Sequence, residues 1–319
     1  MTIKNTRTAS IVALAMGSAL ALAACGGSDS GADFEWDFVQ FVGAEHHYTK
    51  LAEEFADDVR ERTDGRLDIT VRPAGELPYG ADEYLARVGD GSMQMADSLS
   101  TFMAGSCRVG AMPALPMLVP GYDEFEKVWP VVEPRVDECV EAENARLLYH
   151  YVWPSQNIFG RGEPVSDIND LANKTFRQTS PEHGALIEAT GAEGVTLTTE
   201  EVPPAIQRGV MDGVLTSALN VDSSSWNDFL DWGFMVEAGV APSYINVNAD
   251  AYDELPDDLQ TALDAAAAAA TERNNEASVQ AEQDACDELE AAGMVLTDAT
   301  DAQRAQRPQT TIAVWEDWV

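Results

Sequence analysis

Alternation between strand-type and helix-type patterns is the feature that most limits the fold of this 319-residue chain. Residues 34–42 (FEWDFVQFV) alternate apolar and polar side chains and then end apolar, as a strand does when it enters a core. Residues 48–62 carry apolar side chains at helical spacing. Residues 63–65 (TDG) stop that helix, and residues 66–72 (RLDITVR) alternate again. A strand, a helix and a second strand in so short a stretch predict a βαβ unit.

The same alternation continues along the chain. Helices are predicted over 82–90, 123–144, 181–190 and 200–208, and strands over 92–98, 146–153, 175–178, 194–197 and 211–217. The alanine-rich segment 256–292 begins with capping-type residues, lacks interior glycine and proline, and predicts one long helix. Strands that alternate with helices indicate an α/β protein with mainly parallel sheets that are covered on both faces.

The first 25 residues predict export and lipid attachment. A short basic segment precedes an apolar stretch over 11–24, which is too short and too rich in small residues to be a comfortable membrane span. The sequence LAAC that ends at Cys25 resembles the lipobox of bacterial lipoproteins, in which the cysteine is acylated and becomes the mature N-terminus. We therefore predict a lipoprotein signal peptide over 1–24 and a flexible tether over 25–33. An ordinary signal peptide followed by a chance cysteine is the alternative.

The compartment and the charge limit the partners of this chain. Because no second hydrophobic segment is long enough to span a bilayer, we expect a lipid anchor on the outer face of the cytoplasmic membrane, in the periplasm or at the cell surface. The formal net charge is -36, which repels nucleic acid and anionic membrane surfaces and sets both aside as partners. Adaptation to salty surroundings is the favoured explanation of the acidity, and a functional acidic surface is the lesser one.

The residues that usually carry chemistry form no catalytic or metal-binding pattern. Besides Cys25 there are Cys107, Cys139 and Cys286, which allow at most one intramolecular disulfide and leave its pairing open. The four histidines show no zinc-ligand spacing, so we expect no metal and no other cofactor. The chain lacks a GxSxG motif and a glycine-rich phosphate loop, and we do not expect an enzyme.

Six groups of motifs follow one another in a characteristic order. They are 47–69 (HYTKLAEEFADDVRERTDGRLDI), 75–77 with 88–95 (GEL and VGDGSMQM), 114–116 (ALP), 170–177 (DLANKTFR), 201–213 (EVPPAIQRGVMDG) and 255–260 (LPDDLQ). Together they resemble the extracytoplasmic solute receptors of TRAP transporters, the DctP family. The resemblance covers nearly the whole chain after the signal and the tether.

The resemblance implies a bilobal receptor, in which two α/β lobes joined by crossing strands and a long helix close over a ligand. We expect lobe I to comprise 34–153 plus about 243–282, and lobe II to comprise 154–242 plus about 283–319. Such a receptor captures a small organic acid and delivers it to TRAP membrane permease subunits, and we expect it to be a monomer. A receptor for an ATP-driven importer or a sensor kinase is the alternative. A secreted enzyme and a purely structural lipoprotein are more remote.

Arg177 is the central candidate for ligand binding. In the family, the arginine of the K-x-R strand pairs with the ligand carboxylate, and Arg177 stands at that position. A planar guanidinium offers a carboxylate two parallel, charge-assisted hydrogen bonds. The alternative role of Arg177 is a structural ion pair.

Two departures from the family pattern bear on the ligand. Many members carry a second arginine shortly before the position of residues 164–165, where this chain has Gln156 or Asn157. The common QENP after the aspartate and glycine is replaced by VLTS, which ends in Thr216 and Ser217. The missing cation argues against a dicarboxylate that is held at both ends. Neutral donors and an aromatic wall favour a monocarboxylate with an apolar, keto or hydroxyl-bearing body.

Further candidates stand at strand ends, where α/β proteins place their ligands. The alternative role of the tryptophans is packing in the core. The alternative for the histidines is a position at a solvated helix start. These candidates are Trp153, Trp226, His46, His47, Ser98 and Ser100.

Overall fold

The computed structural model describes residues 31–305 and 309–319. The predicted signal peptide over 1–24, the lipid attachment at Cys25 and most of the tether lie outside these residues. The described strands are β1 (Phe34–Val39), β2 (Leu67–Arg72), β3 (Met95–Leu99), β4 (Ala145–Trp153), β5 (Asn157–Gly160), β6 (Thr175–Gln178), β7 (Glu193–Thr196), β8 (Gly213–Thr216), β9 (Trp232–Met235), β10 (Ala241–Asn248) and β11 (Val295–Asp298).

The helices lie mostly between the strands, as the alternating patterns predict. They are α1 (His47–Arg62), α2 (Tyr84–Gly89), α3 (Tyr122–Ala142), α4 (Pro181–Glu188), α5 (Val202–Gln207), α6 (Ala218–Ser223), α7 (Ala249–Asp253), α8 (Asp257–Ala291), α9 (Asp301–Ala305) and α10 (Gln309–Trp318). The α/β class is therefore confirmed.

The predicted βαβ unit opens the fold. β1 and β2 pair in parallel from Phe34 opposite Leu67 to Val39 opposite Arg72, and α1 connects them. The apolar face of α1 is buried, which is why its apolar residues recur at helical spacing. β1 ends at Val39, before the predicted limit at residue 42, and the last three residues of that stretch continue as a buried connection.

The strands form two sheets of mixed direction. The first has the order β2-β1-β3-β10-β4, in which β10 runs antiparallel to both of its neighbours. The second has the order β11-β9-β5-β8-β6-β7, in which β5 runs antiparallel to β8 and β9. Five of the nine neighbouring pairs are parallel and each sheet has one reversed strand, so parallel strands are in the majority, as expected, but neither sheet is purely parallel. Parallel neighbours need a crossover connection, usually a helix, whereas β5 and β10 each follow a strand of the other sheet after a short crossing segment.

Two crossing segments join the sheets. Residues 154–156 lead from β4 into β5, and residues 236–240 lead from β9 into β10. The two segments are hydrogen-bonded to each other. The backbone N–H of Gln156 donates to the oxygen of Gly239, and that of Ala238 donates to the oxygen of Gln156, both at 2.8 Å. The crossing is therefore a small, ordered link between the two sheets.

The long helix α8 packs along both sheets. It runs for 35 residues from Asp257 to Ala291, about 52 Å at 1.5 Å per residue, and confirms the single helix predicted over 256–292. It contacts α1 and β4 of the first sheet and α6 and β11 of the second. Its small buried side chains, such as Ala267 and Ala270, allow close approach to the first sheet and its helices.

One disulfide joins Cys107 to Cys139, and Cys286 is free. Over the described ranges, His, Cys, Asp and Glu side chains form no group of three or more that could hold a metal ion. Within the same part of the chain, no helix is long and apolar enough to cross a membrane.

Candidate functional site

A small cavity lies beside the crossing segments, at the carboxyl ends of β6 and β8. Its free volume is about 20 Å³, which is about the space that one water molecule needs. Residues of both sheets line it, together with one residue of a crossing segment. The lining residues are Phe41, Leu99, Trp153, Gln156, Arg177, Thr179, Thr199, Thr216, Asn220 and Ala241. Four of these, namely Trp153, Gln156, Arg177 and Thr216, are candidates that the sequence predicts.

Arg177 places a buried cation on the cavity wall. It lies within β6, and only 2% of its surface is exposed. Its Nε–H donates to the backbone oxygen of Leu197 at 2.8 Å. Within the described residues no carboxylate lies within ion-pair distance of Arg177, and its Nη1 and Nη2 atoms form no hydrogen bond. Those two nitrogens are the donors that remain for a bound anion.

The charge of Arg177 persists although the side chain is buried. Burial lowers the pKa of Arg177 to about 10, and the negative charge of Glu201 acts weakly in the opposite direction. A guanidinium with a pKa near 10 is still protonated at neutral pH. A buried cation without a hydrogen-bonded counter-charge is costly in free energy, so the site favours an anion.

Trp226 supports Arg177 from one side. The guanidinium carbon lies 5.9 Å from the centroid of the indole ring, within the range of a cation–π interaction. Trp226 is 1% exposed and does not line the cavity. The predicted polar loop before it is partly helical, because Asp222 and Ser223 belong to α6.

Aromatic side chains form the opposite wall. Trp153 ends β4, and its Nε1–H donates to Ser243 Oγ at 3.1 Å. Its ring lies 4.2 Å from that of Tyr48, 5.4 Å from that of His46 and 5.7 Å from that of Phe41, measured between centroids. Packing and cavity lining therefore coexist at Trp153, and the two roles that the sequence left open are not exclusive.

A buried polar network continues from this wall to β8. His46 caps the N-terminus of α1, and its Nδ1 accepts the backbone N–H of Tyr48 at 3.2 Å. Its Nε2 lies 3.2 Å from Asn220 Oδ1, and Asn220 Nδ2 donates to Thr216 Oγ1 at 2.9 Å. Burial lowers the pKa of His46 to about 3, so the ring is neutral at pH 7. His46 thus reaches the cavity through Asn220.

A second buried histidine stands behind the other side of the cavity. Thr179 follows β6 directly, and its Oγ1 lies 2.8 Å from Nδ1 of His183. Nε2 of His183 lies 2.8 Å from the backbone oxygen of Ala114. Ser180 caps α4, and its hydroxyl oxygen accepts the backbone N–H of His183. This cap helps to hold His183 in place beside Thr179.

Gln156 and Asn157 have different surroundings. Gln156 lines the cavity, with its Nε2 donating to the oxygen of Pro154 at 3.0 Å. Asn157 Nδ2 donates to the oxygen of Ser155, and its Oδ1 accepts the backbone N–H of Glu237 at 2.9 Å. Asn157 therefore holds the crossing segments together and does not line the cavity.

The remaining candidates also lie away from the cavity wall. Ser217 caps α6 and accepts the backbone N–H of Asn220. His47 is the first residue of α1, and its ring packs edge-on against Tyr48. Leu99 lines the cavity, whereas its neighbours Ser98 and Ser100 are buried but do not line it.

Six residues of the wall are absent from the sequence-based candidates. They are Phe41, Leu99, Thr179, Thr199, Asn220 and Ala241. Thr179 carried a usable signal, since a serine and a proline after it mark a helix start with a histidine inside its first turn. Asn220 and Thr199 stand close to predicted elements but carry no distinctive motif.

The chain is similar to known bacterial solute-binding proteins in both sequence and fold. The sequence model described as bacterial extracellular solute-binding protein, family 7 (DctP), matches residues 38–319, which include the whole cavity wall. Solved structures of DctP7 and DctP6 from Bordetella pertussis, extracytoplasmic solute receptors binding pyroglutamic acid, are similar. They are 25% and 26% identical to this chain, each with a TM-score of 0.84, and cover 89% of this chain and 94% of each receptor.

Another relative is a dicarboxylate-binding protein and thus differs in its ligand from the two pyroglutamate receptors. The C4-dicarboxylate-binding periplasmic protein DctP of Rhodobacter capsulatus is 25% identical over 256 residues, which are 74% of this chain and 73% of that protein.

Proposed function

We propose that this chain, which belongs to bacterial extracellular solute-binding protein family 7 (DctP), captures a small monocarboxylate and delivers it to a TRAP permease. The family and the similar solved structures are solute receptors of TRAP transporters and not enzymes. The ligand class and the residues that bind it are the parts that we propose.

The observation that carries the proposal is the state of Arg177. It is a protonated, almost fully buried guanidinium whose Nη1 and Nη2 atoms form no hydrogen bond with any described residue. A carboxylate that enters the cavity gives both nitrogens an acceptor and balances the buried charge. The cation–π contact with Trp226 and the bond to Leu197 hold the guanidinium in place for that contact.

The rest of the wall supports one carboxylate rather than two. No other described residue that lines the cavity is cationic, and the polar side chains around Arg177 are neutral, namely Gln156, Thr179, Thr199, Thr216 and Asn220. A second carboxylate buried among neutral groups would lack a counter-charge. DctP6 and DctP7 of B. pertussis bind pyroglutamic acid, which is a monocarboxylate, and they support this reading. The dicarboxylate-binding relative from R. capsulatus makes a direct test necessary.

The test compares the affinities of monocarboxylates and dicarboxylates by calorimetry and by thermal shift. We expect L-pyroglutamate or another monocarboxylate to bind more tightly than succinate or malate. We expect Arg177→Gln to weaken that binding at least about thirtyfold, because truncation of a buried charge partner typically costs about 2–5 kcal/mol. Arg208→Gln is the matched control, since Arg208 is exposed on the surface and does not line the cavity.

Two results would contradict the proposal. Tighter binding of dicarboxylates would remove the monocarboxylate preference. Unchanged affinity in Arg177→Gln, with the fold intact by circular dichroism, would remove Arg177 from the site.

We also propose that the mature chain is a monomer tethered by a lipid at Cys25 on the outer face of the cytoplasmic membrane. A short tether would keep the receptor at high effective concentration near its permease. Mass spectrometry of the mature N-terminus tests the anchor, with Cys25→Ala as the unacylated control. Light scattering of the receptor tests the monomer.

We likewise propose the two lobes that the sequence leads us to expect. Lobe I comprises 34–153 plus about 243–282, and lobe II comprises 154–242 plus about 283–319. The division of the strands supports it, since β1 to β4 with most of β10 fall in lobe I and the other six strands in lobe II.

A further inference from the structure

Hydrogen positions at Thr179 follow from the groups around His183. The backbone oxygen of Ala114 can only accept, so the 2.8 Å contact requires a hydrogen on Nε2 of His183. The ring is buried, and burial lowers the pKa of His183 to about 4, with a smaller opposite effect of the bond to Ala114. The neutral ring therefore carries its single hydrogen on Nε2, and Nδ1 is an acceptor.

The acceptor Nδ1 determines the direction of the bond to Thr179. Because Nδ1 of His183 carries no hydrogen, the hydroxyl of Thr179 must donate its hydrogen across the 2.8 Å contact. A hydroxyl has one hydrogen and two lone pairs, so the oxygen of Thr179 then has only lone pairs to offer. Toward the cavity, Thr179 is a hydrogen-bond acceptor and cannot be a donor.

Thr216, on the neighbouring strand β8, accepts a hydrogen bond from its buried partner instead of donating one. The backbone N–H of Tyr48 donates to Nδ1 of His46, so the hydrogen of this neutral ring lies on Nε2 and points to Asn220 Oδ1. That contact fixes the amide of Asn220 with its Nδ2 toward Thr216 Oγ1. Thr216 accepts this bond and keeps its own hydrogen for another partner.

Thr179 and Thr216 therefore present different groups beside Arg177: Thr179 has only lone pairs left, whereas Thr216 still has its hydrogen and one lone pair. Thr179 follows β6 directly and Thr216 ends β8, and these two strands are parallel neighbours. Both side chains are buried and line the same cavity. A buried acceptor and a buried donor in fixed places discriminate strongly between ligands, because a ligand without the matching group leaves one of them unpaired.

We propose that His183 restricts Thr179 to accepting while His46, through Asn220, leaves Thr216 able to donate, so that the ligand must donate a hydrogen bond to Thr179 in addition to presenting its carboxylate to Arg177. The inference rests on the proposed function and narrows its ligand class. The ligand is a monocarboxylate that carries a neutral N–H or O–H group, such as a lactam or a hydroxy acid, and an acceptor for Thr216. An acid that has only carbonyl or ether oxygens does not fit.

Matched ligands that differ in one donor test the inference. L-Pyroglutamate carries a ring N–H, and its lactone analogue, 5-oxotetrahydrofuran-2-carboxylate, has an ether oxygen at the same place. We expect the wild-type full chain to bind the lactam between about tenfold and a hundredfold more tightly by calorimetry. Thr179→Ser, which keeps the hydroxyl, should retain this ratio. Thr179→Val should reduce it to less than about threefold.

The failure of the inference is distinguishable from that of the proposed function. Equal affinity for the two acids in the wild type, or an unchanged ratio in Thr179→Val, overturns the inference. If both acids still lose affinity in Arg177→Gln, the proposed capture of a carboxylate by Arg177 is supported even though the inference about Thr179 fails.

A second experiment tests the inference without a ligand. Nitrogen-15 NMR of the histidine rings in the full chain reports which ring nitrogen carries the hydrogen, and His183→Gln identifies the signals of His183. We expect a neutral ring with hydrogen on Nε2 and a bare Nδ1 at pH 7. A hydrogen on Nδ1 at that pH overturns the inference, whatever the ligand proves to be.

Discussion

Trp226 lies against Arg177, with the guanidinium carbon 5.9 Å from the centroid of the indole ring. The contact buries the cation beside an aromatic face and leaves the Nη atoms without hydrogen bonds to the described residues. The position of the cation on the cavity wall is thus determined partly by a residue that does not line the cavity.

Replacement of Trp226 by leucine should weaken ligand binding about fivefold to thirtyfold, because a desolvated cation–π contact contributes about 1–2 kcal/mol. Calorimetry with the best wild-type monocarboxylate measures the change. Trp232→Leu is the matched control, since Trp232 is equally buried but lies in β9 of the second sheet and does not line the cavity. Equal losses of affinity in both variants would show a general loss of packing instead.

Asp97 should make the free energy of unfolding decrease as pH rises from about 4 to 7. It is fully buried in β3, accepts a hydrogen bond from the Tyr151 hydroxyl, and burial raises its pKa to about 7. A carboxyl with a raised folded-state pKa binds its proton more tightly in the folded than in the unfolded protein. Its stabilising contribution is therefore complete below about pH 4 and is lost as pH rises to 7, by as much as about 4 kcal/mol.

The variant Asp97→Asn tests this dependence. The free energy of unfolding of the variant relative to the wild type should rise between pH 4 and pH 8, as measured by urea denaturation. Asp287→Asn, which changes an exposed residue of α8, is the control and should show no such trend. A constant difference between Asp97→Asn and the wild type across this range would contradict the assignment.

Asn275 should couple the long helix to β4. Its Oδ1 accepts the backbone N–H of Val152 at 2.8 Å, at a point where the ladder places Val152 opposite Pro242. Asn275→Ala leaves that buried N–H without its acceptor and should lower the free energy of unfolding by about 1–3 kcal/mol. Gln280→Ala, at an exposed position of the same helix, should change it by less than about 0.5 kcal/mol.

The disulfide between Cys107 and Cys139 should contribute to stability through the unfolded chain. The two cysteines are 32 residues apart in sequence, and closing a loop of this length is worth about 3–4 kcal/mol. Cys139→Ser should lower the midpoint of urea denaturation, and a reducing agent should shift the wild type but not the variant. A variant as stable as the wild type would show that the bridge does not form in solution.

Regular patterns made several elements predictable. α1, β2 and α8 follow local periodicity or composition, and their predicted limits agree with the structure within one or two residues. The resemblance to the family's K-x-R strand predicts Arg177 as a site residue, and the structure places it on the cavity wall. These features depend on residues that are close together in the chain, so local pattern is sufficient to find them.

Other elements lack a local signal. β10 is buried along all eight of its residues, so the sequence there lacks the alternation of apolar and polar side chains that predicts a strand. The spacing of the cysteines likewise does not predict which two of them pair. The structure selects Cys107 and Cys139, whose Cα atoms lie 5.6 Å apart, because α3 packs against the segment that carries Cys107.

The sequence by itself determined the α/β class, the long helix and the cation at residue 177, since these follow from periodicity, composition and motif. The tertiary structure alone decided which groups meet around that cation. Thr179 obtains its polarity from Ala114, which is 69 residues away from His183 in the chain, and Thr216 obtains its polarity from His46 through Asn220. Hydrogen-bond direction depends on which buried groups the packing brings within about 3 Å, and no local pattern encodes that.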